Sequence, residues 1–156
     1  VDVIELKDVC ERGCELGFVK QLQPDKISTN YAFSHSLIAE AIHKSFDFTA
    51  KQGIHKRISS YYLSNSPLGL DSRDLYRVLY HINESITEDC SADQKLNHSK
   101  LNLRGAQKAK RSASFSVANK YVKEVRKFNF HSDWTRHKEF AADFHIEAYQ
   151  IASLLG

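Results

Sequence analysis

The stretch "YAFSHSLIAEAIHKSF", Tyr31 to Phe46, changes its hydrophobic period halfway along, and that change decides what kind of fold the chain can form. Before His35, Tyr31 and Phe33 alternate with Asn30, Ala32 and Ser34, the period of two expected of a half-buried strand. After it, Leu37, Ile38, Ala41, Ile42 and Phe46 recur at helical spacing. His35 therefore stands at the mouth of a helix. The unpaired amides of a helix N-terminus favour anions, and a histidine beside them can donate one more hydrogen bond to a phosphate.

Upstream, Leu6, Val9, Cys10, Gly13 and Leu16 mark one face of a helix. Phe18–Gln23 and Ile27–Phe33 read as two short strands around the turn "QPDK", in which Pro24 restricts φ and Asp25 suits a turn. Helix, hairpin, helix is the layout that closes a winged-helix unit. Downstream, a helix is expected over Thr49–Ser64, with Ile54, Ile58, Tyr61 and Tyr62 on its buried side. "SNSPLGLDS" breaks it with Pro67 and Gly69, and Asp71 is a candidate N-cap for a helix whose apolar stripe is Leu75, Val78, Leu79, Ile82 and Ile86.

Beyond the polar link "TEDCSADQ", the segments "KLNLRGAQKAKRSAS" and "FSVANKYVKEVRKF" carry Gly105, Ala106, Ala109 and Ala118 where two antiparallel helices would cross closely. Tyr121, Val122 and Val125 are the expected core there. Small residues let helix axes approach, as in tetratricopeptide-like hairpins. A long final helix is expected in "SDWTRHKEFAADFHIEAYQIASLLG", with Trp134, Phe140, Phe144, Ala148 and Ile151 on related faces, Ser132 as cap and Gly156 as stop. The fold class is thus mainly α, a winged-helix remnant with one β-hairpin followed by tetratricopeptide-like helical hairpins. The corresponding parts are 1–48, the end of a winged-helix subdomain; 49–95, connecting helices; and 96–156, the start of the helical repeats. Starting at Val1, with no Met, and ending directly after an apolar helical run, the chain reads as a piece of a longer protein.

Composition sets the outer bounds. Hydrophobic residues make up 42% and charged residues 26%, ordinary globular values that argue against disorder. The net charge of +3 is modest but uneven: residues 100–127 hold six Lys and three Arg against Glu124 alone, a net +8. A solvated face of a helical pair is the commoner account of such a run, ahead of a polyanion footprint. No apolar run reaches the length of a membrane span, and no signal peptide is apparent. The expected location is cytoplasmic, in keeping with three cysteines and no CxxC. Cys10 and Cys14, a helical turn apart at about 5–6 Å between Cβ atoms, are too distant for the roughly 3.5–4.5 Å of a disulfide.

Catalytic chemistry leaves no mark. The glycines are scattered, and neither GxxxxGK[ST] nor GxGxxG occurs. HExxH and paired CxxC are missing too, so no metal is expected; the one zinc-like grouping that the layout permits, Cys10, Cys14 and His35, is better explained by buried structural thiols and a capping histidine. No Ser or Cys stands in a recognisable nucleophile motif. The segment itself is expected to be no enzyme.

Three stretches in order, "YAFSHSLIAEAIHKSF", "LNLRGAQKAKRSASFSVANKYV" and "WTRHKEFAADFHIEAYQIASLLG", resemble the region that follows the nucleotide-binding core in AAA-like predicted ATPases of the signal-transduction class. The likeness is to multidomain proteins in which a serine/threonine kinase-like domain precedes the ATPase and a sensor histidine kinase follows it. It implies that Tyr31, Phe33 and His35 occupy the family's Phe-x-Phe-x-His positions, and that His35 reads the phosphate of ADP held by an upstream nucleotide-binding domain. ATP or ADP and Mg would belong to that parent and not to this segment. Ser36 departs from the family's Asp; it can cap a helix but brings no negative charge. The resemblance further implies a helical arm that relays nucleotide state to downstream signalling domains in cis, or binds a protein partner. A nucleic-acid-binding winged helix aided by residues 100–127 is the alternative, as is a plain interaction scaffold; Leu37–Phe46, mainly apolar with Lys44, offers little to read bases with.

Overall fold

The computed structural model describes residues 3–22, 31–65 and 72–156, and the side chains of 3–6 and 72–73 are not among what it describes. The chain is mainly helical with one antiparallel β-hairpin, as expected. It forms two compact units, Val1–Phe48 and Thr49–Gly156.

In the first unit, α1 (Val3–Glu15) leads into β1 (Val19–Gln21), which pairs with β2 (Tyr31–Phe33) in the register Val19↔Phe33, Lys20↔Ala32, Gln21↔Tyr31. Gly17 makes the corner. Its φ of +73° is left-handed, and the amides of Phe18 and Gly17 return to the carbonyls of Gly13 and Cys14 at 2.9 and 3.0 Å. This is the two-bond C-terminal motif that glycine permits at no steric cost. The Ser34 amide donates to the Phe18 carbonyl at 2.9 Å, extending the hairpin before α2 (Ser36–Ser45) begins. The "QPDK" turn lies outside the described residues.

The second unit is a row of helices: α3 (Phe48–Ser64), α4 (Ser72–Ser85), α5 (Ala92–Arg111), α6 (Phe115–Val125) and α7 (Lys138–Leu155), with a 3-10 turn at Phe130–Ser132. "SPLGLD", with Pro67, Gly69 and the candidate cap Asp71, lies outside the described residues. Tyr76 stacks on Tyr121 and lies beneath Lys108, Leu79 meets Gly105, and Asn83 exchanges amide hydrogen bonds with Asn102 at 2.8 and 3.1 Å. These pairings run α4 antiparallel to α5. His98 against Phe128, Gly105 against Tyr121 and the short turn at 112–114 make α6 antiparallel to α5 in turn.

Two adjoining apolar clusters result. Leu103, Ala106, Ala109, Ala118, Val122, Val125, Phe140, Phe144, Ala148 and Ile151 are buried between α5, α6 and α7. Leu75, Val78, Leu79, Ile82 and Leu101 are buried between α4 and α5. At Gly105 a Cβ would press on Leu79 Cδ1 and lie within 3.3 Å of the Tyr121 ring, so any side chain there would have to push Leu79 aside. The start of α5 is fixed by a complete capping box, Ser91 with Gln94.

Three local expectations need revision. Tyr61 is 65% exposed, and the buried positions of α3 are His55 and Ser59, because the helix turns its small and polar edge to α4, where His55 Nδ1 meets His81 Nδ1 at 2.9 Å. The last helix starts at Lys138 and not after Ser132, because the Asp133 carboxylate takes the Arg136 amide at 2.9 Å and turns the chain first. Trp134 consequently lies outside α7, 52% exposed, with its ring stacked on His145.

Two predictions follow from this packing. Ala113, with φ +55°, occupies the left-handed position of the α5–α6 turn, where the Ala113 and Ser114 amides return to Lys110 and Ala109. An L-residue there costs roughly 1–2 kcal/mol, so Ala113→Gly should raise the urea midpoint by the equivalent of about 1 kcal/mol; a fall would show that Ala113 carries no strain. Burial and the neighbouring His55 hold the His81 imidazole below its usual pKa. The unfolded chain therefore takes up that proton first, and stability should fall as pH drops below about 6.5 and level off below the folded value. His81→Gln should flatten the fall over that window in pH-dependent urea titrations.

Candidate functional site: the His35 corner and a basic cleft

His35 occupies the N-cap of α2 with extended backbone (φ −143°, ψ 142°), and its ring Nδ1 accepts the Leu37 amide at 3.2 Å. The cap is thus the histidine itself, while Ser36 is the first helical residue. An accepting Nδ1 places the ring proton on Nε2 in the neutral imidazole. The residue is exposed, so in that tautomer Nε2–H is a donor open to solvent beside the helix N-terminus. Tyr31 and Phe33 stand two and four residues before it on β2. Burial, reinforced by Glu11, Cys10 and Cys14, pushes the Tyr31 hydroxyl pKa up.

Cys10, Cys14 and Cys90 are free thiols. Among the described residues no group of three or more His, Cys, Asp or Glu gathers in a metal-ligating arrangement. None of the described side chains in Val1–Phe48 is buried, and Val9, Leu37 and Phe48 are 65%, 65% and 73% exposed. On α2, Lys44 pairs with Glu40 at 2.6 Å.

The basic run 100–127 is divided among several faces. Lys108 lies over Tyr76, Arg126 over Phe144, Lys110 pairs with Glu147 at 2.8 Å, and Lys127 pairs with Glu124 at 2.6 Å. Lys120 and Lys123 are exposed on α6. Lys100 and Arg104 converge with basic residues from another part of the sequence. They line one wall of a cleft of about 600 Å³, and Arg136, His137 and Lys138 line the other at the start of α7. Sequence inspection misses this cleft because half of its cations come from outside the dense run. The i, i+4 spacing of Lys100 and Arg104 was visible; their meeting with Arg136 and Lys138 depends on the late start of α7.

Compared with protein-family models, curated proteins and solved structures, the chain matches none. Among the described residues, no helix is long and apolar enough to cross a membrane.

The cap and the outward donor of His35 can be separated by substitution. His35→Ala should speed hydrogen exchange at the Leu37 amide about fivefold, matching a lost cap of about 1 kcal/mol. His35→Asp should keep the protection, since a carboxylate accepts the same amide. Equal exchange in wild type and His35→Ala would mean that the Leu37 amide has no need of the ring.

Proposed function

We propose that this chain is a non-catalytic regulatory segment of a multidomain signalling ATPase. In this reading a winged-helix remnant carries His35 towards the phosphate of ADP bound by an upstream domain, and a tetratricopeptide-like arm relays nucleotide state to downstream signalling domains or to a protein partner. The parent would supply ATP or ADP, Mg and any kinase activity, in the cytoplasm. The observation that carries the proposal is the His35 corner. Its Nδ1 is engaged by the Leu37 amide, leaving Nε2 as the free donor of an exposed residue, and the unit around it leaves Val9, Leu37 and Phe48 exposed. That combination suits a surface completed by another body, with one polar group aimed at an anion.

Coupling requires that nucleotide and arm each distinguish the same two states. A donor that reaches phosphate only when the unit is docked would provide that difference. The dispersal of the 100–127 cations over several faces, with Lys108, Lys110, Arg126 and Lys127 engaged by aromatic or acidic neighbours, supports a protein partner over a nucleic acid.

The test is calorimetric titration of ADP into a longer protein that includes the proposed upstream ATP-binding domain. His35→Ala and His35→Asp should both weaken ADP by about 1.5–3 kcal/mol, the range for a hydrogen bond to a charged group, although only the first disturbs the cap. Unchanged affinity in both would reduce His35 to a residue that orders the strand-to-helix corner.

A further inference from the structure

The cleft between α5 and the start of α7 has the makings of a ligand site that the proposed coupling role does not specify. Its walls bring together Lys100 and Arg104, one helical turn apart on α5, with Arg136 and Lys138 from the loop and first turn of α7. None of these four cations forms an ion pair with any described residue. Elsewhere in the same unit Lys95, Lys110 and Lys127 each have a carboxylate within 3.5 Å. Four cations around one concavity, none within ion-pair distance of a described carboxylate although Arg136 has Asp133 nearby, attract anionic ligands, since their fields add where the low-dielectric walls confine them.

The neighbouring groups narrow the class of anion. Leu103 and Phe140, both mostly buried, border the cleft and offer apolar contact. Glu139 and Asp143 also line it, leaving a surplus of two positive charges and not an unbroken basic surface. A dense polyanion such as nucleic acid would meet repulsion at those two carboxylates. A peptide whose acidic residues are interspersed with apolar ones can match the cations and avoid them. The amides of Lys138, Glu139 and Phe140 donate to no side chain of His137, so their partial positive charge adds to the same side of the cleft.

We infer that the α5–α7 cleft binds an acidic peptide segment of a protein partner, with Lys100, Arg104, Arg136 and Lys138 pairing its carboxylates. This rests on the reading of the second unit as a docking arm, and it names the chemistry of what docks. The occupant is an extended segment carrying Asp or Glu beside an apolar side chain that meets Leu103 and Phe140.

Fluorescence anisotropy of the 156-residue chain with a labelled ten-residue peptide of alternating Glu and Leu tests it, with an alternating Lys and Leu peptide, a ten-nucleotide oligothymidylate and tripolyphosphate as comparators. Saturable binding of the acidic peptide is expected, weakening with salt and at least tenfold weaker in Lys100→Glu/Arg104→Glu and in Arg136→Glu/Lys138→Glu. Lys120→Glu, which alters an exposed cation of α6, should bind as wild type does. Circular dichroism checks that each variant folds, and either double variant suffices if the other does not. No saturable binding, an equal loss in Lys120→Glu, or tighter binding of the oligonucleotide or tripolyphosphate would overturn the proposal. The two proposals fail separately. Peptide binding with ADP affinity indifferent to His35 would uphold the cleft and sink the coupling role, whereas His35-dependent ADP affinity without peptide binding would sink the cleft alone.

Discussion

The close approach of α5 to its neighbours is the constraint on which the second unit depends. Gly105, Ala106 and Ala109 on α5 and Ala118 on α6 are buried with almost no side-chain bulk between the backbones, so Val122, Val125 and Phe144 can fill the remaining space. At Gly105 the contact with Leu79 of α4 is so tight that even a methyl group would displace it. One face of α5 is thereby tied to α4 and another to α6. The buried polar groups follow from the same geometry. Asn102, fully buried between Leu101 and Leu103, is acceptable there because Asn83 and the His98 carbonyl satisfy its amide. Polar pairing of this kind fixes the register of α4 against α5 in a way that apolar contacts alone do not.

Much of this was legible in the sequence, for identifiable reasons. Small residues at helical spacing announced the α5–α6 crossing, and the stripe Leu75, Val78, Leu79, Ile82 announced the face of α4, because both signals lie within single helices. The change of period at His35 announced the strand-to-helix corner. What was not legible depends on tertiary context or on local turn chemistry. The outward position of Tyr61 is decided by the His55–His81 contact, a pairing between separate helices that no periodicity reveals. Trp134 was expected inside the last helix because its spacing from Phe140 allows it; the hydrogen bond from the Arg136 amide to Asp133 overrides that spacing. His35 was placed correctly at a helix mouth, but Ser36 is the commoner capping residue, and only the backbone geometry assigns the cap to the ring nitrogen. The functional reading drew on a resemblance, and the His35 geometry is compatible with it without depending on it.

The late start of α7 also gives the second unit its charge arrangement. Had the helix begun after Ser132, Arg136 and Lys138 would lie within its first two turns and their directions would be set by helical geometry. Instead the Asp133 turn carries the chain through residues 133–137 before α7 begins, and both cations reach the cleft that Lys100 and Arg104 line. Further along, Lys110 reaches Glu147 at 2.8 Å and also donates to Gln150, so α7 runs parallel to α5 and is pinned at its far end. A parallel pair held together at one end by a half-buried ion pair and parted at the other by an irregular turn must leave a wedge. In this chain the wedge opens at the end where Lys100, Arg104, Arg136 and Lys138 gather. The cations there outnumber the carboxylates Glu139 and Asp143 that line the same cleft, and none is held at ion-pair distance as Lys127 is by Glu124. That arrangement costs stability through self-repulsion, and a ligand of opposite charge would reverse the cost.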